Sequence, residues 1–215
     1  MRPDACGVCV VKASIARRRL HPTARREEIM AAAVAYFAEV GFGGSTRELA
    51  QRAGVTQALL YKYFGSKAEL REAVFKRVYL GRIAPHWLAE LRDRSVPLRV
   101  RLCRFYGEYT AAIFTYEWMR IFMWAGLDGD ALNRRYLDHL CDLLLVPVHE
   151  EAIAESRGMW RPAIEDVWNL HGGIVYLGIR RFIYRLPVPT DVGPVIEAAI
   201  ERFLSPMAVG DGVSA

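Results

Sequence analysis

The stretch that decides the fold is Ser45-Thr-Arg-Glu-Leu-Ala-Gln-Arg-Ala-Gly-Val-Thr-Gln-Ala-Leu-Leu-Tyr-Lys-Tyr-Phe-Gly-Ser-Lys67, which has the pattern of two short helices joined by a tight turn. Ser45 can cap the first helix, and Glu48 can reach back to it to complete a capping box. Gly54 tolerates the left-handed conformation in which a helix ends. Thr56 can then cap the second helix, and Ser66 can cap the longer helix that follows, with Glu69 completing a second capping box. The pattern predicts a helix-turn-helix.

A helix-turn-helix places its second helix in the DNA major groove, where residues near the start of that helix contact bases. Gln57 has the amide geometry to pair with adenine, and Arg47 has the forked geometry to pair with guanine. The predicted DNA-contacting residues are Ser45, Thr46, Arg47, Thr56, Gln57, Ala58, Tyr61, Lys62, Tyr63 and Lys67. An ordinary helical hairpin with a polar outer face is the alternative explanation of this pattern, and we favour DNA binding.

The stretch from Arg47 to Leu70, with its Leu-Tyr-x-x-Phe-x-Ser-Lys run, resembles the signature of the TetR family of one-component transcriptional regulators. The upstream run from Ile29 to Phe42 is similar to the first helix of that family and its exit through glycine and an aromatic residue. The resemblance covers about residues 24–82. It implies an all-helical dimer with a C-terminal ligand-binding domain. Leu59 and the pair Lys62-Tyr63 depart from the usual family pattern, so the resemblance does not transfer an operator sequence.

Charge is unevenly distributed along the 215 residues. Residues 1–82 contain 15 Lys and Arg against 7 Asp and Glu, a net charge of +8, whereas residues 83–215 contain 14 against 17, a net charge of −3. A basic N-terminal part beside a mildly acidic remainder is typical of a DNA-binding domain attached to a separate body. A basic surface also serves solubility alone, so the asymmetry only supports the helix-turn-helix pattern.

The sequence predicts an all-α fold, in which a three-helix helix-turn-helix domain precedes a helical bundle. We expect a flexible basic arm over residues 1–22, a DNA-binding head over 23–82, a ligand-binding and dimerisation body over 83–205, and a tail over 206–215. The arm carries Arg17-Arg-Arg19 and either lies along DNA phosphates or the minor groove, or is an extension without a role.

Helical periodicity predicts which residues are buried. The inward face of the first helix is expected to carry Ile29, Ala33, Phe37 and Val40. Further along, Asp130 is expected to cap a long helix that Pro147 can kink. The residues Glu150, Glu151 and Glu155 are interpreted as the solvated face of that region.

The motifs of common enzyme and metal sites are missing from the sequence. His149-Glu-Glu-Ala-Ile153 resembles a zinc-protease motif but has Ile where the second histidine ligand belongs. Cys6 and Cys9 form a single C-x-x-C without further ligands, while Cys103 and Cys141 lie in apolar helical patterns and are interpreted as core residues. We therefore predict a cytoplasmic protein without enzymatic activity, metal or cofactor, and no stretch long enough to span a membrane.

Large aromatic side chains are concentrated beyond residue 82, where all five tryptophans lie. Helical bundles bind apolar ligands between their helices, with a few polar groups placed to orient them. The predicted effector-binding residues are Phe105, Tyr109, Trp118, Arg120, Phe122, Met123, Trp168 and His171. We expect an apolar or aromatic effector, with one anionic group if Arg120 contacts it. An ordinary aromatic core is the alternative explanation.

Dimerisation is predicted through the last two helices. Glycines inside a helical pattern each cost about 1 kcal/mol relative to alanine, and close approach of a second helix would compensate for that cost. The predicted dimer residues are Gly172, Gly173, Val175, Ile179, Ile196 and Ile200. A kink or a gap facing the ligand would also explain the glycines.

The sequence thus leads to one hypothesis and two alternatives. The hypothesis is a homodimeric regulator, a repressor that a small-molecule effector releases from a pseudo-palindromic operator in double-stranded DNA. The first alternative is a constitutive DNA-binding or interaction module without an effector. The second is a helical enzyme, which would require converging titratable groups in a cavity.

Overall fold

The structure is a computed structural model that describes residues 21–129 and 131–210. This described part is helical and contains no β-strand, which agrees with the predicted all-α class. The head contains four helices: α1 (Pro22–Val40), α2 (Thr46–Arg52), α3 (Gln57–Phe64) and α4 (Lys67–Val78). The body contains α5 (Trp87–Leu91), α6 (Leu98–Ile113), α7 (Tyr116–Leu127), α8 (Ala131–Leu140), α9 (Val146–Glu155), α10 (Ile164–Phe182) and α11 (Gly193–Gly210).

Helices α1, α2, α3 and α4 bury one apolar core in the head. Ile29 and Phe37 of α1 pack there with Leu49, Leu60 and Leu70 from the other three helices, and all five side chains are inaccessible to solvent. The predicted inward face of α1 is therefore confirmed over its length except at its last residue. Val40 is exposed because the chain leaves α1 at that point.

The predicted caps of the helix-turn-helix are confirmed at two helix starts and wrong at the third. The Thr56 hydroxyl accepts a hydrogen bond from the Leu59 amide at 3.2 Å, and the Ser66 hydroxyl accepts one from the Glu69 amide at 3.1 Å. Ser45 precedes α2 without a side-chain cap. The Glu48 carboxylate that would complete the capping box instead accepts a hydrogen bond from the Tyr36 hydroxyl at 3.0 Å and pairs with Arg52.

The region around Pro147 is one helical stretch with a local defect. Helix α8 passes into a π-helical turn, Cys141–Leu145, before α9 begins. Proline has no backbone N–H, so a regular α-helix would lose a hydrogen bond here, and a π turn is a recognised way to accommodate the loss. Where the sequence predicts a kink, the structure has a π turn just before the proline.

The interpretation of the α9 glutamates as a solvated face is confirmed for Glu150 and Glu155, which are exposed, and wrong for Glu151, which lies in a buried ion cluster. Glu151 is 3 % exposed, and its carboxylate accepts a hydrogen bond at 2.8 Å from Arg101, itself 3 % exposed. Arg94 and Glu155 complete the cluster from its rim. Burial alone raises the pKa of Glu151, but the hydrogen bonds from Arg94 and Arg101 outweigh it and lower that pKa below its usual value.

The end of the described chain also departs from the prediction. Helix α11 extends to Gly210, so the first five residues of the expected tail are helical. The cap expected from Asp130, the Cys6 and Cys9 pair and the arm up to residue 20 lie outside the described residues, and α1 already begins at Pro22. None of the described helices is long and apolar enough to cross a membrane.

Head and body are joined by packing of α1 against α7 and by two arginines that cap helices of the opposite part. Arg120 of α7 donates to the carbonyls of Ala38 and Glu39 at 2.9 and 3.1 Å, in the last turn of α1. Arg82, after α4, donates to the Ala112 carbonyl at 2.6 Å, in the last turn of α6. The last carbonyls of a helix lack partners within it and attract cations, so both contacts stabilise the junction.

Candidate nucleic-acid interface and effector region

The start of α3 is held against the start of α2 by a small hydrogen-bonded group. The Gln57 side-chain amide donates to the Thr46 hydroxyl at 2.9 Å, and that hydroxyl also shares a hydrogen bond of 2.9 Å with Tyr61. A glutamine amide has a second N–H and a carbonyl oxygen. Gln57 is exposed, so these groups can face a base while Thr46 fixes the direction of the side chain.

The other predicted DNA-contacting residues divide by exposure. Those with exposed side chains are Ser45, Arg47, Thr56, Ala58 and Lys62, while Tyr61 and Tyr63 are half-buried. Thr46 is buried, so its role is to orient Gln57 and Tyr61. Lys67 is half-buried and donates from Nζ to the Gly43 carbonyl at 3.1 Å, which ties α4 to the loop after α1.

The predicted effector-binding aromatics form two ring-packed groups inside the body. Phe105 stacks on Tyr109 with ring centroids 5.4 Å apart, and the rings of Tyr109 and Trp168 lie 5.4 and 6.4 Å from that of His171. In the second group, Trp118 stacks on Phe122 at 5.1 Å.

Two of the eight predicted effector-binding residues stand apart from these groups. Arg120 caps α1, as described above, and its guanidinium also lies over the rings of Tyr116 and Trp124. Met123 is half-buried on α7. The structure therefore gives Arg120 a role at the head–body junction, away from the stacked rings.

Three buried tyrosines that were absent from the predicted set join the two ring groups. Tyr136 lies 5.6 Å from Trp118 by ring centroids, and its hydroxyl hydrogen-bonds that of Tyr109 at 2.9 Å. Tyr79 packs on Tyr136, and Tyr106 lies beside Tyr109. The spacing of Tyr106 and Tyr109 along α6 was a sequence signal that both residues are buried. Tyr79 and Tyr136 lie in segments of mixed polarity, where the sequence pattern did not indicate burial.

His171 should make stability depend on pH. Burial lowers its pKa from 6.5 to about 4. The unfolded chain therefore binds a proton between these values that the folded chain does not. The contribution of His171 to the free energy of unfolding is largest above pH 6.5 and is lost as the pH falls towards 4. We expect a loss of about 2 kcal/mol between pH 7 and 5 from this group. Urea unfolding at both pH values measures this loss. The His171→Phe variant should lack this part of the change in unfolding free energy with pH. An equal change in unfolding free energy with pH in the two proteins would contradict the prediction.

The predicted dimer residues lie in two different environments. Gly172 and Gly173 are exposed on α10, and a Cβ built on either one would meet no atom within 4 Å. Ile179 is half-buried and Val175 is buried. The side chains of Ile196 and Ile200 are also buried within the protomer, on the helix that packs against α6 and α10. A partner helix can thus approach the glycines, whereas the two isoleucines support that surface from inside.

One group of described side chains has the composition of a metal site. Ligand atoms of His86, Glu90 and Glu108 lie within 4.8 Å of one another. All three side chains are exposed, and the Glu108 carboxylate already accepts hydrogen bonds from the Trp87 indole at 2.8 Å and shares one with His86 at 2.9 Å. Because exposed acidic groups commonly form such pairs without an ion, we assign no metal to this group.

Comparison with known proteins supports the helix-turn-helix assignment. Residues 29–74 match the family of bacterial regulatory proteins described as the tetR family. No significant match was found among curated protein sequences. The match confirms the predicted resemblance over the helix-turn-helix and supports a DNA-binding transcriptional regulator.

Solved structures extend the likeness to nearly the whole chain. A TetR-like transcriptional regulator from Rhodococcus sp. RHA1 aligns with a TM-score of 0.68 at 22 % identity, over 87 % of this chain and 99 % of the other. A TetR family regulator from Pseudomonas syringae pv. tomato aligns with a TM-score of 0.60 at 20 % identity, over 86 % and 97 %. One from Streptomyces coelicolor gives 0.58 at 19 %, over 88 % and 83 %. Residues 29–74 thus match the tetR family of bacterial regulatory proteins, and the described chain has the fold of TetR-like transcriptional regulators.

Proposed function

We propose that this protein is a ligand-responsive repressor that binds a pseudo-palindromic operator as a homodimer. The observation that carries the proposal is the exposure of three side chains: Arg47 at the start of α2, Gln57 at the start of α3, and Lys62 in the last turn of α3. Arginine and glutamine pair with guanine and adenine in the major groove, and lysine suits the phosphates. Together they can supply base recognition and non-specific affinity.

The dimer is proposed to form through α10 and α11. The exposed side of α10 carries Gly172, Gly173 and Tyr176, and Tyr176 is 48 % exposed. A groove of about 410 Å³ runs between α10 and α11, with Leu177 and Phe203 in its lining. Two subunits related by a two-fold axis through this apolar surface would bury it against each other. Their two heads would then bind successive half-sites of one operator.

Release is proposed to follow a change in the angle between head and body. Arg120 holds the end of α1, and Arg82 holds the end of α6, so a shift of α6 or α7 within the body is passed to the head through both caps. An effector that binds better to a shifted body would favour a head spacing that no longer fits successive major grooves.

One observation favours the alternative in which the protein is a constitutive DNA-binding module that has no effector. The predicted effector residues Phe105 and Tyr109 stack directly on each other, as residues of an ordinary core do. In that case the body would serve only to hold two heads together, and operator binding would not respond to small molecules.

The test begins with selection of DNA from a random library by the full-length protein. A compound collection is then screened for release of the selected operator. We expect selection of a pseudo-palindrome and at least one compound that releases it saturably. Arg120→Met should retain operator binding but weaken the release, because the cap on α1 is lost. Failure to select any sequence would refute the DNA-binding proposal, and selection without release by any compound would support the constitutive alternative.

A further inference from the structure

The interior of the body contains a connected set of polar side chains, which we call the tyrosine–histidine cluster. Its members are Tyr79, Tyr106, Tyr109, Tyr136 and His171. Each is at most 5 % exposed, although tyrosine and histidine in a helical core more often keep a polar edge in water. The cluster joins the end of α4, in the head, to α6, α8 and α10 of the body.

The members of the cluster are contiguous. The rings of Tyr79 and Tyr136 lie 5.0 Å apart, and Tyr136 is hydrogen-bonded to Tyr109. The His171 ring lies 5.4 Å from that of Tyr109 and 6.1 Å from that of Tyr106. The five side chains therefore form one continuous packed group.

Three polar atoms of this cluster have no hydrogen-bond partner within the described protein: the hydroxyls of Tyr79 and Tyr106, and Nδ1 of His171. A buried polar atom without a partner costs about 1–3 kcal/mol, and folded proteins contain few of them. Three in one connected region are costly for an ordinary core. A bound molecule that supplies the missing hydrogen-bond partners would offset this cost and explain the presence of the three polar atoms.

The cluster also limits the charge of such a molecule. Burial raises the pKa values of Tyr79, Tyr106 and Tyr136 above their usual range, and it keeps His171 neutral near pH 7. The buried Arg101 is paired with Glu151, so it does not provide a cation for a ligand. An anion moved from water into this region would lose its hydration without gaining an opposite charge.

We propose that the tyrosine–histidine cluster is the effector site and that the effector is an uncharged planar aromatic compound carrying hydroxyl groups. Such a ring can stack among Phe105, Trp118 and their neighbours, while its hydroxyls both donate to and accept from the unpartnered atoms. This inference rests on the proposed function and makes it more specific. It replaces the expected anionic group, because Arg120 lies at the junction and caps α1.

The position of Tyr79 connects this site with the DNA-binding head. Tyr79 directly follows α4, and its ring lies 5.0 Å from that of Phe75, one turn earlier in α4. The rings of the cluster are in contact, so a ligand has to separate them in order to bind. Displacement of Tyr79 would move the end of α4 and thereby the head.

The test uses a series of naphthalene probes on the full-length protein, with binding measured by calorimetry and by thermal shift. The probes are 2,7-dihydroxynaphthalene, 2-naphthol and 2-naphthoate, which share a ring system and differ in hydroxyl groups and charge. We expect saturable binding of the two hydroxylated probes, tighter for the diol, and binding of the carboxylate at least about tenfold weaker. Equal or tighter binding of 2-naphthoate, or no binding of either hydroxylated probe, would overturn the inference.

Matched variants separate a binding role from a structural one. Tyr79→Phe and Tyr106→Phe each remove only an unpartnered hydroxyl, so the unliganded protein should melt at the same temperature or higher. Together they should weaken binding of the diol about tenfold, as expected for one or two lost hydrogen bonds. Tyr184→Phe, on an exposed tyrosine after α10, is the control and should change neither quantity. Unchanged diol binding in the double variant would overturn the inference, since it would show that the hydroxyls are satisfied in another way, for instance by water.

Operator release is measured separately from probe binding. A hydroxylated probe that binds in the cluster but does not release the operator would count against the proposed ligand-responsive function. It would still support the assignment of the cluster as a binding site. Release by the carboxylate, unaffected by Tyr79→Phe and Tyr106→Phe, would support the regulator and overturn the assignment of this site.

Discussion

Replacement of Gln57 by alanine should weaken binding to the selected operator by about 1–3 kcal/mol per half-site contact and relax the preference at one base position. The amide lies at the start of α3, and one of its N–H groups is fixed on Thr46, so its remaining groups are presented in a defined direction. Arg47→Ala should have an effect of similar size at a different base position. Selected-site sequencing with each variant measures both the affinity and the preference.

Two further variants make this prediction specific. Gln51→Ala removes the same side chain from an exposed position on α2 outside the predicted contact set, and it should leave base preference unchanged. Lys62→Ala should instead weaken all sequences alike and reduce the dependence of affinity on salt, because a phosphate contact carries no sequence information. An unchanged preference in Gln57→Ala would show that this residue does not contact a base.

The second large effect is expected at the proposed dimer surface. Gly173→Leu should convert the protein to monomers and lower operator affinity about a hundredfold or more, because one head then binds only one half-site. A Cβ at this position meets no atom of the protomer within 4 Å, so contacts within the subunit do not require a glycine here. Any loss of assembly would therefore come from the partner surface. Sedimentation and operator titration measure the two effects.

The control for this variant is another exposed helical glycine. Gly107 lies on α6, and a Cβ there also meets nothing within 4 Å. Gly107→Leu should keep the dimer and its operator affinity, while its effect on helix propensity matches that of Gly173→Leu. An intact dimer in Gly173→Leu would mean that the subunits associate through a different surface.

The sequence by itself determined the helices and the helix-turn-helix. Gly54 has a φ of 64°, and Thr56 and Ser66 cap the helices that they precede, as their local patterns predicted. These features depend on hydrogen bonds and backbone conformations within a few residues, and periodicity reports which side of a helix is apolar. The same local information fixed the family resemblance over the head, which the match at residues 29–74 confirms.

Only the tertiary structure decided where the polar side chains go. Glu48 left the predicted capping box because Tyr36, twelve residues earlier, reaches it, and Glu151 is buried because Arg101 meets it from fifty residues away. Arg120 was expected to face a ligand and instead caps α1, 82 residues earlier in the chain. A charged or hydrogen-bonding group takes the partner that lies within about 3 Å in the fold, and sequence spacing does not report that distance. Spacing therefore predicted the apolar faces well, while the partners of the polar groups had to be found in three dimensions.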